Sequence, residues 1–575
     1  MAVFDYNNEK NIELLQDTII LESVNLNSVL DSNYCFSGEG GWQILDGETL
    51  QYDGNTNAYG AFYGESLLMS SAECNVFGQY DDNGNITKIG ISFWGTSTNI
   101  GASDFISNTA LDVVSDLASG LISGYADSYS VNAFNQLLTS VAAFATAQGL
   151  TGEDIIITGH SLGGLAVNSM ATSSELGMWD GFYQDSSYVA LASLTQNTLD
   201  DKVLNIGYEN DPVFRALNGS AFTCETLFSH DTARETCTNN MVSFNDAYAG
   251  LSWNIDFMSL ANPTAWSAHL GVDYLSGMIK VINSDVYDYT TIDSNIIVSN
   301  LSEGNRATTW VEDLNKSNLH SGSTFIIGTE SDDLLKGSEA NNYLCGGEGN
   351  DTFKDNSGYN IIYGGSGNNS YITEFTLSEM SIARSYDGTL YFKYSTGDIT
   401  RAENIQNVNI DKVVFNFWFI NVTEHNDYAV TEEGLQGTEG TCDYALSYYS
   451  CENNNYTISS SSDDNWLFSS DSDSTIYSYN NNTNIVSNAG NDSIYLGGEG
   501  DSLLFYGNFG HDTIYNLSTT DTLLFMANKN IGIDYDYNHY LSMVDNDAVF
   551  QFGDSSVTLV GVNTEMLHEM NIVIA

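Results

Sequence analysis

A nine-residue repeat constrains the fold of this chain more than any other feature of its sequence. From residue 328 to residue 372 the chain reads GTESDDLLK, GSEANNYLC, GGEGNDTFK, DNSGYNIIY and GGSGNNSYI without a gap. The eighth place of every unit is apolar or aromatic, and its occupants are Leu335, Leu344, Phe353, Ile362 and Tyr371. A flexible Gly/Asn-rich linker would not keep one apolar place at a fixed period. The repeat therefore predicts stacked coils of parallel β-structure.

The sixth place of every unit holds an aspartate or an asparagine, whose side-chain oxygens can bind a cation. Its occupants are Asp333, Asn342, Asp351, Asn360 and Asn369. In the unit G-G-x-G-x-D-x-U-x, stacked turns bring carboxylates close together, where calcium binds between them. If each coil contains two units, units 18 residues apart share one edge. We therefore expect the edge with Asp333 and Asp351 to bind calcium tightly, and the edge with Asn342 and Asn360 to bind it weakly or not at all.

A second array keeps the same apolar spacing further along the chain, at Leu467, Ile476, Ile485, Ile494 and Leu503. Its glycine and aspartate places have decayed, and they return only around Asp492 and Asp501. We expect these two aspartates to be the calcium ligands of the second array. The two arrays predict an all-β parallel β-roll over residues 321–575.

One short stretch of the amino-terminal half has the pattern of a nucleophile elbow. Residues 155–157 are a β-branched apolar run typical of a buried strand, GHSLG at 159–163 fits G-x-S-x-G, and a helical stretch follows. A strand, a tight turn and a helix are the setting that holds a nucleophilic serine, so Ser161 is the candidate nucleophile. Strands alternate with helices through residues 1–320, which predicts an α/β domain with a mainly parallel sheet.

A nucleophilic serine needs a base and an acid, and α/β-hydrolases supply them in the order Ser, Asp or Glu, His. Asp211 follows the predicted strand KVLNIGYEN, and Glu209 is a rival acid at the same strand end. His230 lies in a polar loop, whereas His269 lies among apolar residues suited to line a substrate groove. Residue chemistry favours His269 as the base, but geometry decides such roles.

The charge of the chain limits its partners. There are 75 acidic and 15 basic residues, a net charge of -60, which repels nucleic acid and attracts cations. The amino terminus lacks the usual secretory signal, and no stretch has the length and apolarity of a membrane helix. The seven cysteines are compatible with two short disulfide loops, Cys224–Cys237 and Cys442–Cys451, or with scattered free thiols.

Several motifs resemble one known family. TGHSLGGLAVNSM, KVLNIGYENDPVFRALNGS, VSFNDAY, STFIIG and the carboxyl-terminal SVTLVGV resemble the subfamily I.3 bacterial lipases, the RTX lipases exported by ATP-driven type I secretion systems. The similarity covers nearly the whole chain. Residue by residue, it implies Ser161 as nucleophile, Asp211 as acid and His269 as base. It also implies that Thr96 and the backbone N–H of Leu162 stabilise an oxyanion.

The same resemblance implies calcium in the amino-terminal half. The implied ligands are Glu209, Asp231 and Asn240 for one ion, Asp293 for a second, and Asp112 for a third that tethers a lid helix. The chain departs from the family at Asn108, where the family has Asp, and the loop before Asp112 is two residues longer. It also departs at Trp94, which replaces the arginine of the family motif F-R-G-T.

Together these features predict an α/β-hydrolase lipase domain with lid helices at 1–320, and a calcium-binding β-roll with a carboxyl-terminal secretion signal at 321–575. We expect a secreted, extracellular, monomeric, calcium-dependent triacylglycerol lipase or carboxylesterase. It would act through an acyl-enzyme on lipid esters at an oil–water interface, leave the cell by a type I ABC apparatus, and bind no nucleic acid. A phospholipase A1 or polyesterase on the same scaffold is the enzymatic alternative. A calcium-dependent adhesin with a relic hydrolase domain is less consistent with intact Ser, Asp and His positions.

Overall fold

The computed structural model describes residues 4–6, 9–10, 12–30, 36, 38–95, 128–196, 202–211, 213, 241–249, 263–291, 294–314, 322–355, 357–417, 420–438, 443–446, 449–450, 457–531 and 536–575. The chain divides into two compact units. The first comprises residues 1–283, 298–305 and 315–320, and the second comprises residues 284–297, 306–314 and 321–575. Among the described residues, no helix has both the length and the apolarity that crossing a bilayer requires.

The first unit is built on one mixed sheet. Its elements are β1 (Asp5–Tyr6), β2 (Glu9–Lys10), α1 (Ile12–Leu30), β3 (Trp42–Ile44), α2 (Gly47–Leu50), β4 (Phe62–Tyr63), β5 (Glu73–Tyr80), β6 (Ile86–Phe93), α3 (Tyr129–Gln148), β7 (Ile155–His160), α4 (Leu162–Glu175), β8 (Ser187–Leu191), β9 (Val203–Ile206), β10 (Met241–Asn245) and α5 (Gly271–Asn283). The sheet order is β3-β5-β6-β7-β8-β9, with β4 beside β5. Helices α3 and α4 pack together, and α4 also packs on β6, β7 and β8.

The sheet is parallel only in part. Strands β6 to β9 are parallel, as predicted, but β3, β4 and β5 pair antiparallel. For β5 and β6 the cause is the short turn between them, because two neighbouring strands joined by a few residues must run in opposite directions. The Asp81 side chain stabilises that turn by accepting the backbone N–H groups of Asn83 and Asn85, both at 2.8 Å.

An ionisable side chain is buried where α1 packs on this sheet. Glu22 is 1 % exposed, and its Oε1 accepts a hydrogen bond from Ser92 Oγ of β6 over 2.8 Å. Burial raises the pKa of Glu22 from 4.5 to about 7, and hydrogen bonds from Ser92, Thr158 and Asn25 offset only part of that rise. The stability of the first unit should therefore depend on pH near neutrality.

Glu22→Gln is expected to stabilise the first unit at alkaline pH. A carboxyl group whose pKa is higher in the folded chain contributes stability below pH 4.5 that is lost as the pH rises through 7. At about 1.4 kcal/mol per pKa unit, the wild type loses about 3 kcal/mol over that range and the variant loses none of it. Melting temperatures should coincide near pH 4, diverge between about pH 4.5 and 7, and stay apart above pH 7. Glu13→Gln, an exposed change on the same helix, is the control; a Glu22→Gln curve parallel to the wild type would contradict the expectation.

The second unit consists almost entirely of strands. Strand β11 (Asn295–Asn300) and helix α6 (Glu303–Arg306) precede its first array in sequence. The first array and its extension contain β12 (Val311–Glu312), β13 (Thr324–Ile327), β14 (Leu334–Lys336), β15 (Asn342–Cys345), β16 (Thr352–Lys354), β17 (Tyr359–Tyr363), β18 (Ser370–Thr373), β19 (Met380–Arg384), β20 (Leu390–Tyr394), β21 (Ile399–Glu403), β22 (Asn407–Phe417), β23 (Ile420–Val430), β24 (Gly434–Gly437) and β25 (Tyr444–Ala445).

The second array contains β26 (Tyr449–Ser450), β27 (Thr457–Ser459), β28 (Trp466–Phe468), β29 (Thr475–Ser478), β30 (Asn484–Ser487), β31 (Ser493–Leu496), β32 (Ser502–Tyr506), β33 (His511–Tyr515), β34 (Thr522–Met526), β35 (Leu541–Val544), β36 (Asp547–Phe552), β37 (Ser555–Leu559), α7 (Thr564–Glu569) and β38 (Asn571–Ile574). Its strands alternate between two sheets, of order β26-β28-β30-β32-β34-β38 and β27-β29-β31-β33-β37-β36-β35.

Each coil of the roll contains two nine-residue units. Leu335 pairs in parallel register with Phe353, and Phe353 with Tyr371, while Leu344 pairs with Ile362 on the other sheet. Partners are therefore 18 residues apart, and all five eighth-place side chains are fully buried. The same spacing joins Leu467 to Ile485 and Ile485 to Leu503 in the second array. An eighth-place side chain points inward in every unit, which explains why that place stays apolar.

Side chains at the sixth place join successive coils. The backbone N–H of Asp333 donates to Asp351 Oδ1 over 2.9 Å, and that of Asp351 donates to Asn369 Oδ1 over 2.9 Å. On the opposite edge, the backbone N–H of Asn342 donates to Asn360 Oδ1 over 3.0 Å. Aspartate and asparagine thus make the same contact to the backbone of the neighbouring coil.

Candidate active site

Ser161 lies in a tight turn between β7 and α4. Its φ of 58° and ψ of -116° are strained for a residue with a side chain. The flanking glycines make the turn possible, because a Cβ on Gly159 would lie 2.4 Å from the carbonyl carbon of Gly163. A Cβ on Gly163 would lie 2.0 Å from the carbonyl oxygen of Phe93. The turn has the geometry of a nucleophile elbow.

Three side chains that are distant in sequence meet at this turn. Ser161 Oγ lies 3.0 Å from His269 Nε2, and His269 Nδ1 lies 3.0 Å from Asp211 Oδ2 and 3.1 Å from Asp211 Oδ1. A 3-10 helix over Pro263–His269 ends at the histidine, and Asp211 follows the end of β9. A serine, a base and a carboxylate in this order can perform nucleophilic acyl transfer. His269, rather than His160 beside the serine, contacts the hydroxyl.

The site is buried, and its carboxylate is stabilised as an anion. Burial alone would raise the pKa of Asp211, but the charge of His269 and hydrogen bonds from His269, Tyr274 and the backbone N–H of Val213 outweigh it and lower that pKa. Burial, followed by the charge of His269, lowers the pKa of His160 to about 3. His160 is therefore neutral at working pH.

The backbone beside Ser161 includes a donor that an oxyanion can use. Leu162 is the first residue of α4, where backbone N–H groups have no acceptor within the helix. A Cβ on Gly95 would lie 3.6 Å from Ser161 Cβ, so the chain after β6 passes directly beside the serine. Trp94, the departure from the family motif, is buried and donates from Nε1 to Asn75 Oδ1 over 2.6 Å. Thr96 lies outside the described residues.

Most of the expected metal ligands of the amino-terminal half also lie outside the described residues, as does the lid helix expected at Asp112. These ligands are Asp112, Asp231, Asn240 and Asp293. Glu209 is described and is 6 % exposed, and its backbone N–H donates to the carbonyl of Met241 over 2.7 Å. The carboxylate that contacts His269 belongs to Asp211, two residues after Glu209, the rival acid. The described cysteines, Cys74 and Cys345, are free and buried.

Asp351 in the β-roll has a carboxylate oxygen that fits a cation. Its Oδ1 accepts a backbone N–H, but its fully buried Oδ2 has no hydrogen-bond partner. A Cβ on Gly346 would lie 2.2 Å from this oxygen, so the glycine leaves the space open. Burial raises the pKa of Asp351 to about 7. A buried oxygen with no donor suits calcium, which binds hard oxygen ligands.

On the asparagine edge of the roll, the side-chain amides make hydrogen bonds within the turns. Asn342 Nδ2 donates to the carbonyls of Ser338 and Ala340, and Asn360 Nδ2 donates to the carbonyl of Ser357 over 2.8 Å. These amides bond turn carbonyls that a cation would otherwise bind. This edge also has a buried carboxylate, that of Asp355 at the first place of its unit, next to Gly337.

The second array contains two aspartates that the nine-residue period did not reveal. The backbone N–H of Asp492 donates to Asp512 Oδ1 over 2.8 Å, and that of Asp501 donates to Asp521 Oδ1 over 2.9 Å. The spacing here is 20 residues, because the step from Asp501 to Asp512 is 11 residues instead of nine. The signal was present as an aspartate two places before a buried Ile514 or Leu523. Ser487 Oγ lies 2.8 Å from Asp492 Oδ2 and 2.9 Å from Asp512 Oδ2.

Within the described residues, no group of three or more His, Cys, Asp and Glu side chains comes together in a metal-binding arrangement. A calcium site in the roll would therefore combine one or two carboxylates with backbone carbonyls, as calcium sites often do.

The fold and the arrangement of side chains define the class: an α/β-hydrolase joined to a parallel β-roll. Residues 320–353 and 346–374 match the RTX calcium-binding nonapeptide repeat. The crystal structure of the extracellular lipase LipA from Serratia marcescens superposes with a TM-score of 0.85 at 36% identity, covering all of both chains. The chain belongs to the RTX lipases, subfamily I.3 of the bacterial lipases, and the predicted fold class is confirmed.

Two curated proteins from Pseudomonas fluorescens, both named lipase, are similar to this chain over part of their length. They are 49% and 46% identical to the chain over 292 and 283 residues. The matches cover 50% and 49% of this chain, and 60% and 62% of the relatives. The matched part is thus less than two thirds of either relative.

Proposed function

We propose that the chain is a secreted, calcium-dependent triacylglycerol lipase or carboxylesterase that acts through an acyl-enzyme. The observation that carries the proposal is the chain of contacts from Ser161 Oγ through His269 to Asp211, at 3.0 Å for each step. Membership of the RTX lipase family supports a lipid ester as the substrate, and the acidic surface argues against nucleic acid.

In this mechanism His269 Nε2 takes the proton of Ser161 Oγ while that oxygen attacks the ester carbonyl carbon. Asp211 holds the imidazole and stabilises the imidazolium that forms. The ester C–O bond then breaks, and His269 gives its proton to the leaving alcohol. Water repeats the sequence on the acyl-enzyme, which releases the fatty acid and restores the serine.

The tetrahedral intermediate carries a negative charge on the former carbonyl oxygen. The backbone N–H of Leu162, at the amino end of α4, is one donor to that charge in the proposal, and Thr96 is the other. Removing one such donor typically costs about 100-fold or more in kcat. A donor held by a helix needs no reorganisation during the reaction.

In the roll, Asp333 and Asp351 of the first array would hold calcium, as would Asp492 and Asp501 of the second, with Asp512 and Asp521 stacked beside them. Bound calcium would supply positive charge that neutralises the stacked carboxylates. Glu209, Asp231, Asn240, Asp293 and Asp112 remain the proposed ligands of the amino-terminal half. Export through a type I ABC apparatus, with a secretion signal at the carboxyl end, and a monomeric state complete the proposal.

A substrate panel tests the activity. The full chain with calcium is assayed on a triglyceride emulsion, a soluble p-nitrophenyl ester and phosphatidylcholine vesicles, with Ser161→Ala as the blank. Hydrolysis of the triglyceride supports the lipase, whereas hydrolysis of the phospholipid alone would favour a phospholipase A1. A chain that hydrolyses none of them and does not react with a fluorophosphonate probe would favour the adhesin alternative.

A further inference from the structure

The carboxylate of Asp211 has a partner outside the serine, histidine and aspartate arrangement. The phenol of Tyr274 donates to Asp211 Oδ2 over 2.7 Å, which is shorter than the 3.0 Å from that oxygen to His269 Nδ1. The oxygen of Tyr274 in turn accepts the backbone N–H of Tyr208 over 3.1 Å. With that acceptor position filled, the hydroxyl hydrogen is directed at the carboxylate. Tyr274 is 1 % exposed, so water does not replace this contact.

We propose that Tyr274 is a positioning residue for the triad. Its phenol fixes the Asp211 carboxylate and shares the negative charge of that carboxylate. The inference rests on the proposed triad mechanism. The backbone N–H of Val213 donates to Asp211 Oδ1 over 2.8 Å, and Tyr274 provides the matching donor on Oδ2. With a donor on each oxygen, the carboxylate cannot rotate away from His269. Hydrogen bonds from a hydroxyl to a carboxylate are short and strong.

The position of Tyr274 in the fold suits this role. It lies in the first turn of α5, five residues after His269, so one short segment carries the base and the group that holds its acid. Its ring packs against the rings of Tyr208 and His160, with centroid distances of 4.6 and 5.5 Å. Burial raises the pKa of Tyr274 well above its usual value, so the phenol stays a donor at every working pH.

Other titratable groups could also affect a pH profile. Those on the elements packed around the pair include His160, Tyr208, Glu209, Asp273, Lys280 and, on α1, Glu13, Asp17 and Glu22. Burial raises the pKa of Asp273 to about 7, within the range of an activity profile, so this residue needs its own variant. Tyr208 offers a matched control, because its phenol donates to the carbonyl of Asp273 and not to Asp211.

The test is the pH dependence of kcat and KM for Tyr274→Phe on a soluble p-nitrophenyl ester. We expect kcat to fall about tenfold with KM within about twofold of the wild type, because one hydrogen bond to a charged group is lost. The acid limb of kcat/KM should move to higher pH by about half a unit. The imidazole takes up its proton more readily beside a carboxylate whose charge is no longer shared. Tyr208→Phe and Asp273→Asn should keep the wild-type limb.

A double-mutant cycle separates this role from a structural one. If Tyr274 acts through the carboxylate, Tyr274→Phe should cost little further activity in the Asp211→Asn background. A wild-type acid limb in Tyr274→Phe, or a full additional loss in that background, would overturn the inference while Ser161→Ala is inactive. Full activity of Ser161→Ala would instead overturn the proposed function itself.

Discussion

Ser161→Ala and His269→Ala are each expected to lower kcat/KM for ester hydrolysis by about 10⁴-fold or more, and Asp211→Asn by about 10³-fold or more. The reason is that the three side chains act as a unit in the proposed mechanism: His269 takes the serine proton and Asp211 holds the imidazole, each across a 3.0 Å contact. The double variant Ser161→Ala/His269→Ala should be no less active than either single variant. Initial rates on a soluble ester at saturating calcium measure the effect.

His230→Ala is the matched control for the base, since His230 was the rival in the sequence. It should retain most of the activity, and every variant should keep the thermal unfolding of the second unit. An inactive His230→Ala beside an active His269→Ala would show that the base is misassigned.

Asp351→Asn is expected to reduce the stabilisation of the second unit by calcium, by about 5 °C or more for each ion lost at saturation. Without calcium the same variant should be at least as stable as the wild type. The buried Oδ2 of Asp351 has no donor, whereas an amide there can donate to turn carbonyls as Asn342 does. Melting temperatures of the full chain in calcium and in chelator, with calorimetric ion counts, measure both effects.

Asn342→Asp, made on the opposite edge, is the reciprocal variant. It should lose stability in chelator and gain a larger response to calcium, because it replaces a donor with a carboxylate. If Asp351→Asn responds to calcium like the wild type, backbone carbonyls suffice and the two edges are equivalent.

Local pattern predicted the parts of the molecule that depend on local chemistry. The β-branched run before Ser161 and the glycines around it predicted the elbow, because each residue there meets a requirement of its own backbone. The period of nine predicted the roll, since an inward side chain recurs in every unit. Asp211 and His269 could be proposed from their order and surroundings, but only the fold brings them within 3.0 Å.

Features that depend on contacts between residues distant in sequence could not be predicted. Nothing in the local sequence marks Tyr274, because its role comes from the meeting of α5 with the chain after β9. Asp512 and Asp521 were missed since two extra residues between Asp501 and Asp512 break the period of nine while leaving the stacking intact. The antiparallel pairing of β5 with β6 follows from one turn, whose effect on strand direction a count of strands and helices does not capture.

The sixth-place hydrogen bonds hold the coils of the roll together independently of whether the residue there binds calcium. One side-chain oxygen accepts the N–H of the adjoining coil whether the residue is aspartate or asparagine. Only the second atom differs, an oxygen that can bind a cation or a nitrogen that cannot. The codons of these two amino acids differ by a single base. A lineage can therefore adapt such a protein to waters richer or poorer in calcium by successive point mutations, each of which leaves every coil in place.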